Sequence, residues 1–240
     1  MKSFPHSLTV FFPAYNDART LPSLIESTFE VLNVHATDSE VIVVNDGSRD
    51  DTPAVLEALC VQYGPRLRIV THESNRGYGG ALRSGFAHAT GEYVFYTDGD
   101  GQYDVRDLPL LLTRAAQANG WMNGFKIVRH DPRYRLFIGG VYRRLVRALF
   151  GLHLHDIDCD FRLIRRDLVG RIPFTSTSGT ICVELVRGLE SQGVRAVEVG
   201  VHHSRRVHGS SQFFRPIPLL QTFVQLLALY WRLVVRGGGR

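Results

Sequence analysis

Apolar positions recur along this chain in two rhythms that take turns. Ser7 to Phe12 reads as a strand, stopped by the polar loop Pro13-Ala14-Tyr15-Asn16-Asp17. Leu21, Leu24, Ile25, Thr28 and Phe29 then share one helical face, which predicts a helix capped by Thr20 and running to about Asn33. Glu40 to Val44 is a second apolar strand, closed by Asn45-Asp46-Gly47-Ser48. Thr52-Pro53, a cap followed by proline, opens a helix to about Tyr63. Leu67 to Thr71 is a third strand, and Asn75-Arg76-Gly77-Tyr78-Gly79-Gly80-Ala81 leads into a helix ending near Ala89. The β-branched and aromatic run Tyr93 to Thr97 is a fourth strand. A helix over 107–119 and a strand from Trp121 to Ile127 follow.

Strands and helices alternating with short links demand a mostly parallel sheet covered by helices, an α/β fold with right-handed crossovers. Ligands of such sheets bind beyond the carboxyl ends of the strands. The polar clusters Tyr15-Asn16-Asp17, Asn45-Asp46, Asn75 and Asp98 to Gln102 all fall at those ends, so four loops should meet in one crevice. The last cluster is Asp98-Gly99-Asp100-Gly101-Gln102, where two glycines let the backbone bend around two carboxylates. Converging carboxylates repel one another unless a cation lies between them. Asp98, Asp100 and the amide oxygen of Gln102 are hard oxygen donors suited to Mg²⁺ or Mn²⁺, and so to a substrate diphosphate. A lone Asp-Gly-Asp is more often a solvated turn; the other three loops favour the site. Gly77-Tyr78-Gly79 lacks the last glycine of G-x-G-x-x-G, and the run from Gly80 to Gly85 lacks the Walker lysine, so phosphate neutralisation falls to the metal.

The second half has a different character. Residues 1–120 hold 9 Lys/Arg and 15 Asp/Glu, whereas residues 121–240 hold 19 and 8, almost all of the cations being arginine. The acidic half suits a metal and a nucleotide, and the arginine-rich half an anionic partner. Arg135 to Phe150 is a basic amphipathic helix that either lies on an anionic membrane or packs on the sheet. Asp156, Asp158 and Asp160 alternate before Phe161-Arg162-Leu163, as base candidates or as the polar face of a strand. Arg162, a charge within an apolar strand, requires a partner: a substrate, Asp156 or Glu184. A helix from Gly179 to Gln192 carries Glu184 as a buried structural acid, and Arg195 to Val201 is a strand. His202, His203 and His208 lack a metal-ligand spacing, so no zinc is expected, although His208 is placed to touch phosphate. Residues 216–235 are mostly apolar but broken by Gln221, Gln225 and Arg232, which predicts an interfacial helix rather than a membrane span. Three scattered cysteines fit a reducing compartment, and no signal peptide is expected from the first residues.

Pro13 to Asp17, Val44-Asn45-Asp46-Gly47-Ser48, Asn75 to Gly79 and Asp98 to Gln102 together resemble the family 2 glycosyltransferases of the GT-A fold. Asp156 through Arg162 and Arg206-Val207-His208-Gly209-Ser210-Ser211 are similar to the branch containing dolichyl-phosphate mannosyltransferase. The resemblance implies a transferase domain over residues 1–212, with a nucleotide-binding half (1–120) and an acceptor-binding half (121–212). An amphipathic helix and tail would occupy residues 213–240. It further implies a nucleotide pocket of Pro13, Tyr15, Asp17, Val44, Asp46, Asp98, Gly99 and Asp100, with a metal at Asp98, Asp100 and Gln102. Lys126, Arg129, Arg162, Arg206 and Gln212 would hold an acceptor phosphate, with Asp100, Lys126, Arg162 and Arg206 closest to the chemistry. Asp17 stands where the family more often has Glu, Lys126 where it has Arg, and Gln212 where it has Lys.

The implied reaction is inverting transfer from GDP-mannose or a UDP-sugar to a polyprenyl phosphate. It would occur at the cytoplasmic face of a membrane touched by residues 136–150 and 216–235. A hydroxyl acceptor would instead require an aspartate base. The rival readings are a nucleotidyltransferase, a non-catalytic nucleotide-sugar module and an RNA-binding protein. The first lacks its Gly-rich basic loop after strand one. The last lacks interleaved aromatic and basic residues, so no nucleic-acid partner is expected.

Overall fold

Leu8–Ala14 (β1) is buried at all seven positions, which is why it reads as an unbroken apolar run: helices cover both faces of the sheet at its centre. The computed structural model describes residues 4–115, 120–128, 133–204 and 216–236, with backbone alone over 133–138 and 216–221. The remaining strands are β2 (Ser39–Asn45), β3 (Leu67–Thr71), β4 (Tyr93–Thr97), β5 (Trp121–Lys126), β6 (Phe161–Arg165) and β7 (Val197–Val201). They form one seven-stranded sheet in the order β3-β2-β1-β4-β6-β5-β7. The pairs β1–β2, β2–β3, β1–β4 and β5–β7 are parallel. β6 runs antiparallel between β4 and β5.

One face is covered by α1 (Leu21–His35), α2 (Thr52–Tyr63) and α4 (Leu108–Arg114), whose leucines pack on Leu8, Val10, Phe12, Val41 and Phe95. The other carries α3 (Tyr78–His88), α5 (Arg133–Phe150), α6 (Arg166–Gly170), α7 (Ile181–Glu190) and α8 (Pro216–Tyr230), against Phe11, Ile42, Val44, Tyr96 and Trp121. α8 continues as a π-helical turn, Trp231–Arg236. It is fastened to the body by buried Leu226 and Leu229 and by the Phe150–Tyr230 ring contact.

Several local expectations are corrected. The helix expected over 107–119 is preceded by a 3-10 turn at Val105–Asp107 and runs as α4 over Leu108–Arg114, and residues 116–119 lie outside the described ones. The threonines expected to cap α1 and α2 do not cap. The Thr20 hydroxyl donates to the carbonyls of Asp17 and Gly99, and the Thr52 hydroxyl accepts from the Asp17 amide. Both side chains therefore brace loops at the sheet's carboxyl edge. Asp156, Asp158 and Asp160 precede β6 in a turn and form no strand face. α5 packs on the body through buried Val146 and Phe150, while Val141 and Leu145 stand 48% and 45% exposed.

Candidate active site

Four loops leave the carboxyl edges of β1 to β4, and backbone bonds draw them together. The Asp46 amide donates to the Ala14 carbonyl and the Gly99 amide to the Pro13 carbonyl, at 2.9 and 3.2 Å. The acids that end β2 and β4 thus flank the tip of β1. A Cβ on Gly99 would lie 2.7 Å from the Pro13 oxygen, so only glycine permits this approach. The β1 and β2 loops are joined by Asn16 N donating to Ser48 Oγ (3.0 Å) and Arg49 N donating to Asn16 Oδ1 (2.8 Å). Asn16 adopts φ 59°, left-handed backbone that asparagine tolerates. Tyr15 is half-buried there, its amide donating to the Asp17 carboxylate at 2.9 Å. Asp46 is buried, and its Oδ1 receives the Arg76 amide (2.8 Å) and lies 2.6 Å from His72 Nδ1.

The acidic turn follows β4. Asp98 accepts a 2.8 Å bond from the Tyr78 hydroxyl, and the Gln102 amide donates to Asp100 Oδ1 at 3.0 Å. Burial, then the carboxylates of Asp160 and Asp100, push the Asp98 carboxyl well above the usual range, with Tyr78 and Lys126 opposing them. Such mutual repulsion is that of carboxylates crowded into one buried turn. Gln102 also anchors the turn, its side-chain amide donating to the Ser204 carbonyl at 3.1 Å.

Beside this turn, Lys126 Nζ lies 3.5 Å from the Asp158 carbonyl and over the Tyr103 ring. Burial and the neighbouring Asp156 raise the Asp158 carboxyl to about 6, against Lys126 and Arg143. Strand register places Arg162 opposite both Tyr96 and Asn123. Its guanidinium donates to Asn123 Oδ1 (2.7 Å), the Tyr96 hydroxyl (2.6 Å) and the Ile157 carbonyl (2.5 Å), and stands 3.4 Å from Asp160.

The family model Glycosyl transferase family 2 matches residues 9–172, which span every one of these loops. The chain belongs to glycosyl transferase family 2. As a family 2 chain it is 26% identical over 229 residues to undecaprenyl-phosphate 4-deoxy-4-formamido-L-arabinose transferase of Enterobacter sp. (strain 638), covering 95% of this chain and 67% of that protein. To the protein of the same name from Pseudomonas fluorescens (strain SBW25) it is 28% identical over 214 residues, 89% of this chain and 62% of that one. The chain therefore spans about two thirds of the length of these relatives. Glucosyl-3-phosphoglycerate synthase from Mycobacterium tuberculosis, solved with Mn²⁺, UDP and phosphoglyceric acid, superposes with a TM-score of 0.69 at 22% identity, over 95% of this chain and 78% of that one. That likeness establishes the GT-A fold expected for a family 2 member.

Within this member the loops bearing Tyr15, Asp17, Asp46, Asp98, Gly99, Asp100 and Gln102 meet around the tip of β1, with Lys126 of β5 acting on Asp98 from beyond β6. Two expected contacts are corrected by burial. Val44 is 0% exposed with its side chain in the core, so it has no surface to offer a nucleotide. Arg162 is likewise 0% exposed, with every guanidinium nitrogen engaged internally, so it cannot clamp a phosphate. Its ionic partner is Asp160, neither Asp156 nor Glu184. Pro13 is buried and contributes its carbonyl to Gly99. Arg129, Arg206, His208 and Gln212 lie outside the described residues. Sequence reasoning missed Tyr78, His72 and Tyr103. Tyr78 lay within the Asn75 to Gly79 motif without a role assigned to it, and the other two carried no signal.

Proposed function

We propose that this chain transfers a sugar from a nucleotide diphosphate sugar, GDP-mannose or a UDP-sugar, to a polyprenyl phosphate, with inversion at the anomeric carbon. The carrying observation is the acidic turn of Asp98 and Asp100 at the meeting point of four loops, within a family 2 domain. The relatives that bear polyprenyl-phosphate transferase names support the acceptor class. An acceptor phosphate oxygen would attack the anomeric carbon as the bond to the diphosphate oxygen breaks, and the leaving nucleoside diphosphate keeps that electron pair. The attacking oxygen is already anionic near neutrality, so no general base is required.

Asp98 and Asp100, with the Gln102 amide as a third oxygen donor, fit a Mg²⁺ or Mn²⁺ ion. An ion held by so few protein oxygens would keep water and substrate phosphate as its other ligands. Such an ion would offset the charge gathering on the diphosphate. Tyr78 orients Asp98, Tyr15 and Asp17 line the nucleobase side, and Asp46 receives the nucleoside. Lys126 places a cation beside the reacting phosphates. Arg162 acts at one remove, holding Asp160 and Tyr96 in place. Arg129, Arg206 and Gln212 remain the proposed acceptor contacts. Exposed Arg144 and Arg147 beside Val141 and Leu145 on α5, and the apolar stripe of α8, support peripheral contact with the inner face of a membrane. No helix among the described residues is long and apolar enough to cross one.

One observation favours a second reading. A carboxyl raised to about 6 at Asp158 is suited to deprotonate a hydroxyl acceptor. Radiolabelled GDP-mannose and UDP-sugars, offered with Mn²⁺ or Mg²⁺ to undecaprenyl phosphate, test both. The expected result is lipid-linked label, lost by about a hundredfold or more in Asp100→Asn and largely retained in Asp158→Asn. Near-complete loss in a folded Asp158→Asn would move the assignment to a hydroxyl acceptor.

A further inference from the structure

Asp46 is held by a device that the reaction itself does not require. His72 ends the run that β3 begins, and its backbone amide donates to the Asn45 carbonyl at 2.9 Å, setting the imidazole beside the tip of β2. Nδ1 lies 2.6 Å from Asp46 Oδ1 and Nε2 lies 2.8 Å from the Ser84 hydroxyl on α3. The His72 and Asp46 side chains are 3% and 4% exposed. Three elements thus close on one carboxylate, and its Oδ1 is filled by the imidazole and the Arg76 amide. Among the described residues Oδ2 accepts no bond. A buried, charge-assisted bond this short fixes a carboxylate's rotation far better than solvent would.

The order Asp–His–Ser is also that of a hydrolase relay, but Ser84 lies inside α3 (Tyr78–His88). Backbone amides there are spent within the helix, and none is left to receive an oxyanion. We infer that His72, braced by Ser84, is a positioning residue that turns Asp46 Oδ2 toward the nucleoside of the donor and so sets donor affinity. The inference rests on the reading of Asp46 as a nucleoside contact.

The test uses the full chain and calorimetric binding of UDP and of GDP with Mn²⁺, alongside Mn²⁺-pyrophosphate, which has no nucleoside. His72→Asn places an amide donor where Nδ1 stands, whereas His72→Gln replaces Nε2 and leaves Asp46 unheld. Asp46→Asn and His72→Gln should each weaken the preferred nucleoside diphosphate about tenfold, the effect of one charge-assisted bond. His72→Asn should stay within about threefold, and pyrophosphate affinity should be the same in all variants. A purely structural histidine would lower Tm in both substitutions without separating the two ligands. If Asp46→Asn binds like the wild type, Asp46 is no nucleoside contact and the inference falls with that reading. If Asp46→Asn weakens binding but His72→Gln does not, or if pyrophosphate falls in step, the positioning role alone is overturned. Should His72→Gln be unfolded, Ser84→Ala decides: about threefold weaker nucleotide binding supports the role, and unchanged binding overturns it. Failure of the wild type to bind either nucleotide would overturn the transferase reading instead.

Discussion

Asp98 illustrates how a single residue can be costly to the fold and central to the proposed site. Burial and the nearby Asp160 and Asp100 raise its carboxyl, so ionisation is harder in the folded chain than in the unfolded one. A carboxyl raised on folding stabilises the protein below its ordinary pKa, and that contribution is lost as pH rises through the folded value. Asn imitates the protonated acid and still accepts from Tyr78. Without metal, Asp98→Asn should therefore melt higher than the wild type at neutral and alkaline pH. The gain would be about 2–4 °C for each kcal/mol recovered, and the two curves should converge in acid. Nucleotide binding with Mn²⁺ should fall at the same time, and a Tm series with and without nucleotide checks both. The acids of this site were legible because Asp and Gly at strand ends have few other reasons to cluster. Val44 and Arg162 were misassigned because sequence gives a residue's place along a strand but not which face the register buries. The network of Arg162 with Tyr96 and Asn123 joins three strands whose adjacency, β4-β6-β5, no local pattern announces.

At the scale of elements, the device that matters is the seam between α8, α7 and the loop before α7. Glu184 on α7 is 2% exposed and accepts from the amides of Thr175 (3.0 Å) and Ser176 (2.9 Å) and from Arg232 on the π-helical turn. The loop it holds is the one on which α3 begins. The Gly79 amide donates to the Thr177 carbonyl at 2.9 Å, and a Cβ on Gly79 would lie 2.4 Å from the Ser176 oxygen. The C-terminal helix is thereby connected to the helix carrying Tyr78 and Ser84. Burial pushes the Glu184 carboxyl up, but the Ser176 amide, Arg232 and the Thr175 amide outweigh it and leave it below its usual range. A carboxyl lowered on folding stabilises above its unfolded pKa and ceases to as pH falls through the folded one. Glu184→Gln should cost about 1–3 kcal/mol at neutral pH, read as a lower midpoint in urea, and the difference should shrink below about pH 4. A buried structural acid was readable from one Glu in an apolar helix. Its partner was not, because Arg232 lies 48 residues away in sequence. The threonine caps failed for a related reason: the local cap is a default, and here both hydroxyls find stronger use between loops.

Over the whole molecule, the sequence separates an acidic half from a basic one, and the fold converts that division into a site at the sheet's carboxyl edge and a surface of different character. Phe223, Leu227, Trp231 and Val235 recur every four residues along α8 and its π-helical turn, and are 52%, 50%, 55% and 47% exposed. Leu226 and Leu229 on the same segment are buried against the body, so this helix has two apolar faces and the body covers only one. α5, which meets α8 at Phe150 and Tyr230, adds exposed Val141 and Leu145 together with Arg144 and Arg147. An apolar stripe beside arginines complements an anionic bilayer surface, where each cation contributes about 1 kcal/mol and each buried apolar side chain about 1.5–3 kcal/mol. The chain reports on this directly, because of its two tryptophans Trp121 is 0% exposed and Trp231 is 55% exposed. Vesicles containing phosphatidylglycerol should shift the Trp231 emission to the blue and carry the chain upward in flotation, while phosphatidylcholine alone should do so weakly. Phe223→Glu and Leu227→Glu should each reduce partitioning roughly tenfold or more with little change in Tm, since both residues are about half exposed. Raising salt should weaken the electrostatic share and leave the apolar share in place. Equal partitioning of the wild type and both variants would mean that the stripe does not meet the bilayer, and the proposed lipid acceptor would then have to reach the acidic turn by another route.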